Sequence, residues 1–156
     1  MYAGYIAEQI ERQEERKRSI ESRGVTVITT SGTLATLLLA LAALTTREAG
    51  TFTLPPSAED PLEWSLIAFA AAALASIFTQ LPLSYREAST SGLRGLVEDS
   101  WNDSEEEALD AVARNRLNVL RRAKEVNGIK AWALFAAVVA QAAAVIALAF
   151  AMTRLF

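Results

Sequence analysis

The chain has 156 residues, of which 15 are Lys or Arg and 18 are Asp or Glu, for a net charge of −3. Residues 24–46, 64–85 and 131–153 contain no charge at all, so every charge falls in the other 88 positions. A soluble domain of this size scatters charge over each surface helix, because its elements alternate buried and solvated faces, and this segregated pattern does not fit one. With no Cys and no His there is no disulfide framework, thiol chemistry, imidazole base or His metal ligand, which removes most hydrolytic and redox sites.

Residues 1–23 carry ten charges, five of each sign, and read as a helix supported by Glu8–Arg12 and Glu14–Arg18 pairs at i,i+4. The charges also argue against a cleaved signal peptide. The apolar stripe is thin: Tyr2, Ile6, Ile10 and Ile20 share a face with Gln13 and Lys17, so only partial packing is expected. Gly24 then opens the first uncharged run as a hinge or a plain continuation. That run, 24–46, holds Thr26, Thr29, Thr30, Thr33 and Thr36 in helical series with Ser31 and Gly32. Small residues and hydroxyls allow close helix approach in lipid, so Thr29, Gly32, Thr33 and Thr36 are candidates for a packing seam or for the wall of a water-lined pore.

Residues 47–63, with Gly50, Pro55, Pro56 and Pro61, read as a short outer loop, since these residues stop helices and make turns. The second run, 64–85, starts at Trp64 and contains Gln80, with Pro82 kinking or ending it. Residues 86–102 form a linker without a motif. Ser104 and Glu107 then make a capping box, acids at 105–107 and 110 suit a helix start, and Arg121, Arg122 and Lys124 suit its end. Leu109, Val112, Ala113, Leu117, Val119, Leu120, Ala123 and Val126 cover about half of this helix, a face that wants a partner. Arg116 is the one charge set into it, either snorkelling or holding a phosphate or carboxylate. Asn127-Gly128 leads into the third run, 131–153, where Trp132 sits at an edge, as does Trp64, in the position of interfacial aromatics. Gln141 lies near the middle. An amide there needs a hydrogen-bond partner on another helix, of the same chain or of a neighbouring copy. An interhelical clasp is expected for it before a substrate contact, and Gln80 and Gln141 are both candidates for helix packing or pore lining.

Each uncharged run matches the about 20 apolar residues that cross a bilayer. The segments 1–23 and 86–130 hold 13 Lys and Arg against 2 elsewhere, which by the positive-inside rule places them in the cytoplasm. The expected fold is all-α: an integral membrane protein with three transmembrane helices, N-terminus inside and C-terminus outside, plus cytoplasmic helical extensions. The two extensions both run toward the membrane with acidic far ends and basic near ends, so like charges oppose unless they interleave. Arg16, Lys17, Arg18, Arg23, Arg121, Arg122, Lys124 and Lys130 are expected against anionic lipid. The runs lack the intramembrane charges on which proton relays, pumps and voltage sensors depend. No phosphate loop, metal spacing or nucleophile–base pair is present, so neither enzymatic activity nor a cofactor is expected, and no segment is basic enough for nucleic acid.

The order of parts is a charged helix ending Arg18-Ser-Ile-Glu-Ser-Arg-Gly24, a Ser/Gly-containing first span, a second span, and the amphipathic stretch Arg114 to Lys130 leading into the last. This layout resembles small bacterial membrane proteins of the SLATT and Pycsar transmembrane-effector type, and, in its Ala-rich spans, actinobacterial membrane proteins. It covers most of the chain without a diagnostic motif, and the third C-terminal span departs from the two-span SLATT plan. The resemblance implies an inner-membrane effector of antiphage defence that responds to a nucleotide signal or protein partner, forms a homo-oligomer and breaches the lipid bilayer. The alternative is a non-lytic adaptor whose cytoplasmic helices recruit a soluble partner, for instance in plasmid transfer or secretion. Leu109, Val112, Arg116, Leu117 and Leu120 are the candidate cytoplasmic interface.

Overall fold

A computed structural model describes residues 2–49, 56–82, 94 and 104–155. These are helical almost throughout: α1 is Tyr2–Ala49, α2 is Pro56–Gln80 and α3 is Glu105–Leu155. All three are long and apolar enough to cross a membrane. The expected linker, 86–102, lies outside the described residues apart from Arg94.

Two boundaries differ from the sequence reading. Helix α1 continues to Ala49, and α2 starts at Pro56 and runs through Pro61, so much of the supposed outer loop is helical. Proline is well suited to a helix start, where its missing N–H has no intrahelical partner to lose and its φ is already set. Pro61 lies only one turn further in and forfeits a single backbone bond. Neither Gly24 nor Asn127-Gly128 interrupts its helix. At the other end α2 stops at Gln80, just before Pro82.

The chain divides into two compact units, one of Met1–Ser19 and Pro82–Ile129, the other of Ile20–Leu81 and Lys130–Phe156. In the first, Ile6, Ile10, Gln13 and Lys17 are half-buried on α1, and Leu120, Ala123 and Asn127 are buried on α3. Gln13, which breaks the apolar stripe, has a matched partner: the Asn127 amide donates to its backbone oxygen at 2.8 Å and its side-chain oxygen at 3.2 Å. Glu8 pairs with Arg12 on α1 at 2.6 Å and Arg121 with Glu125 on α3 at 3.3 Å, each within its own helix.

In the second unit the interior positions are Ile20, Gly24, Val27 and Ser31 on α1, Ser65, Phe69, Ala72, Ser76 and Thr79 on α2, and Lys130, Ala137, Ala144 and Ala151 on α3. Their steps of three and four residues are a heptad seam, and half-buried Leu134, Gln141 and Leu148 fill the gaps on α3. Such a 3.5-residue repeat keeps one line of side chains facing its partners as the helices wind around each other. Gly, Ala, Ser, Thr and Val take most of the seam positions, with Ile20, Phe69, Lys130, Leu134, Gln141 and Leu148 the larger ones. Val27, Ala72 and Ala137 form its apolar centre.

The start of α3 is held by a reciprocal cap. The Ser104 backbone N–H and hydroxyl donate to Glu107 Oε2 at 3.1 and 2.9 Å, and the Glu107 N–H donates to Ser104 Oγ at 3.4 Å. The Ser104 hydroxyl first and its backbone N–H second hold the Glu107 carboxyl below its ordinary value. A depressed carboxylate contributes stability that is present above the unfolded value and lost as pH falls through the folded one. In Ser104→Ala the Glu107 titration should therefore move partway back up, because only the backbone contact survives. An NMR pH titration of the Glu side chains measures the shift, and an unmoved Glu107 resonance would show that the hydroxyl is not its partner.

Candidate functional site

The chemistry of the second unit gathers where one end of α2 meets α1 and α3. Glu21 belongs to α1, Thr79 and Gln80 to the last turn of α2, and Lys130 to α3. The Lys130 ammonium donates to Glu21 Oε1 at 2.7 Å; the Lys130 side chain is fully buried and that of Glu21 retains 28% exposure. The Gln80 amide donates to the Glu21 backbone oxygen at 2.7 Å and to Thr79 Oγ1 at 3.3 Å, and the Thr79 hydroxyl donates to the Ser76 carbonyl at 2.7 Å. Glu21 is thus gripped twice, its carboxylate by α3 and its carbonyl by α2.

Lys130 overturns the expectation that it contacts lipid headgroups. At a step of seven before Ala137 it falls on the interior line of α3, so its ammonium is carried inward to an anion. The pair is asymmetric. Taking away the carboxylate strands a buried charge, an effect of about 3–5 kcal/mol for a fully buried pair and smaller here because water reaches Glu21. Taking away the ammonium leaves a carboxylate that water can still solvate.

One turn further along α1, Gly24 is buried and faces the same corner. A Cβ here would overlap Thr79 Oγ1, stand 2.9 Å from Gln80 Nε2 and 3.5 Å from the Ser76 carbonyl. The significance of Gly24 is therefore close approach of α2, not freedom to bend.

The candidates from the sequence divide between faces. Thr29, Gly32, Thr33 and Thr36 are exposed, on the side of α1 opposite the seam, and Gly32 has open space where a Cβ would be. Their hydroxyls donate to carbonyls one turn back in the same helix, Thr29 to Val25 at 3.0 Å, Thr33 to Thr29 at 2.9 Å and Thr36 to Gly32 at 2.8 Å. The seam within the chain uses Gly24, Val27 and Ser31 instead. Gln141 donates to Thr30 Oγ1 at 2.6 Å, joining α3 to α1 within one chain. Gln80 lies at the corner just described. On the N-terminal part of α3, Leu109, Val112, Arg116 and Leu117 are exposed and Leu120 is buried, so the broad apolar face divides into an inner and an outer part. Trp64 and Trp132 lie on the outside, the latter edge-to-face with Phe135 at 5.7 Å between ring centres.

The helical pattern at 100° per residue does not mark Glu21, Gly24, Thr79 and Lys130 as a site. Counting the 3.5-residue repeat back from Ala151 through Ala144, Ala137 and Lys130 to Ala123 would have marked Lys130 as an interior charge in need of an anion. Among the described residues no group of three or more metal-ligating side chains comes together.

The close approach at Gly24 makes a direct prediction. Gly24→Ala should lower stability by about 1–3 kcal/mol through overpacking, read as a drop in the thermal midpoint of the detergent-solubilised protein. Adding Thr79→Ala removes the overlapped oxygen and should recover most of the loss, helped by the better helix propensity of Ala. A Gly24→Ala protein as stable as the parent would mean that α2 does not come this near.

No family model matches the chain, and no curated protein and no solved structure matches it either.

Proposed function

We propose that the chain is a multi-pass protein of the bacterial inner membrane, N-terminus inside and C-terminus outside, that acts without catalysis as an oligomeric, membrane-breaching effector in nucleotide-signalled antiphage defence. The observation that carries the membrane part is the outward direction of its apolar surface. Only 17%, 28% and 11% of the most apolar stretches of the three helices is buried. Leu37, Leu39, Ile67, Leu74, Phe135 and Ile146 are all among the exposed side chains. Contiguous apolar surface on this scale needs lipid or other copies to cover it. The back-bonded hydroxyls of Thr29, Thr33 and Thr36 tolerate lipid, since each donor is already satisfied, and their oxygens remain available to line a path shared by several copies.

The effector reading draws further support from the layout resemblance to small bacterial membrane effectors. A second reading, a membrane adaptor, is favoured by one feature: Leu109, Val112 and Leu117 stay exposed on the part of α3 richest in charge, a surface suited to a soluble protein partner.

Terminal reporter tags should place the N-terminus in the cytoplasm and the C-terminus outside, following the 13-to-2 distribution of basic residues; a cytoplasmic C-terminus removes the three-span arrangement. Expression together with candidate nucleotide signals or phage infection should depolarise the inner membrane, and chemical crosslinking should trap a discrete oligomer. Replacing Thr29, Thr33 and Thr36 together by Val removes hydroxyls at similar volume, so assembly should persist while depolarisation falls. A parent protein that never depolarises cells under these conditions sinks the effector and leaves the adaptor.

A further inference from the structure

We propose that the Glu21–Lys130 pair is a latch that holds α1 against α3 in the resting protein and whose parting turns the membrane activity on; the second half of this statement rests on the effector reading. Three observations converge on it. The ammonium is fully buried with its carboxylate at 2.7 Å, so the charge can stay where it is only while the anion does. The surrounding seam is small: Gly24, Val27, Ser76 and Ala137 offer little side-chain area to resist separation, and in lipid apolar contact supplies no drive of its own between helices. Glu21 is also the point to which α2 is fastened, through the Gln80 amide on its carbonyl at 2.7 Å.

The two halves differ in access, which gives the latch a handle. Lys130 is closed off, whereas the Glu21 carboxylate reaches solvent at the edge of the charged part of α1. A protein partner that brings a Lys or Arg side chain to Glu21 competes with Lys130 from outside, a step that the anionic phosphates of a nucleotide signal cannot perform directly. Once displaced, the ammonium has no anion in the seam and must move outward, carrying its part of α3 away from α1. An ion pair suits such a device because charge alone can displace it, which no change of partner does to Val27 or Ala137.

The chain has no cysteine, so Thr30→Cys with Gln141→Cys, placed at two residues now in hydrogen-bond contact, reports closure of α1 on α3 through a short bifunctional thiol reagent. This pair would be built into the parent, Glu21→Gln, Lys130→Met and the exchange Glu21→Lys with Lys130→Glu, all brought to equal membrane levels. The expected result is loss of the crosslinked product and gain of depolarisation without any signal, larger in Glu21→Gln, which strands the buried ammonium, than in Lys130→Met, which only removes the hold, and return of both readouts to parent values in the exchange. Restoration by the exchange separates a latch from damaged folding, since a misfolded chain would not regain the crosslink. Unchanged crosslinking in Glu21→Gln and Lys130→Met overturns the latch, as does an exchange that behaves like the single variants. Crosslinking that responds as expected while no form ever depolarises cells supports the latch as a closure device and removes the effector reading alone.

Discussion

A buried ammonium is the most demanding group in the second unit, because an unpaired charge cannot be held away from water at tolerable cost. Lys130 lies on the interior line of α3, and the position of α1 follows from that placement. Glu21 has to stand at its level, in the orientation that points its carboxylate inward. With that register fixed, Gly24 lies one turn beyond, where its missing side chain admits α2, and Gln80 comes within reach of the Glu21 carbonyl. One charge requirement thereby aligns three helices, although it occupies a single layer.

Elsewhere the seam is thin by the standards of a soluble core. Its buried positions are mostly Ala, Ser and Gly, side chains that permit close backbone approach and bury little area. Helices in lipid associate through such contacts together with a few hydrogen bonds, and the polar contacts observed here are spread along the helices. Ser65 donates to the Ala144 carbonyl at 3.0 Å, Gln141 to Thr30 and Gln80 to Glu21, each joining a different height of the bundle. In the first unit the Asn127 amide on Gln13 has the same effect. A polar residue at a seam position selects one register over its neighbours, because slipping by a turn leaves an amide without a partner.

The outer surface follows the opposite logic. Its large side chains, including Trp64, Leu74, Trp132, Phe135 and Phe150, point away from the seam, and its threonines satisfy their own hydroxyls through the backbone of the same helix. An interior of small residues under an exterior of large apolar ones inverts the arrangement of a water-soluble bundle. This inversion fits a lipid surround, the setting of the proposed function.

The sequence by itself determined the helical class, the three apolar stretches and the reciprocal cap of Ser104 and Glu107. Each of these follows from composition or from contacts within a few residues, where local geometry is already fixed. It also marked Gln141 as an amide in need of a partner, since that need comes from the residue type and its apolar surroundings. The sequence reading did not identify the faces that meet. Thr29, Thr33 and Thr36 read as a packing seam or a pore wall, whereas the seam within the chain runs along Gly24, Val27 and Ser31, because a threonine can satisfy its hydroxyl alone while a close approach needs the smallest residue opposite a matching one. It did not reveal the destination of Lys130 either. Among Arg121, Arg122 and Lys124 it resembled any headgroup-facing cation, and only the tertiary structure shows Glu21 standing at its level as the partner of a buried ammonium. An ion pair between residues 109 positions apart depends on the relative register of two helices, and register is a property of their packing that neither helix carries within itself.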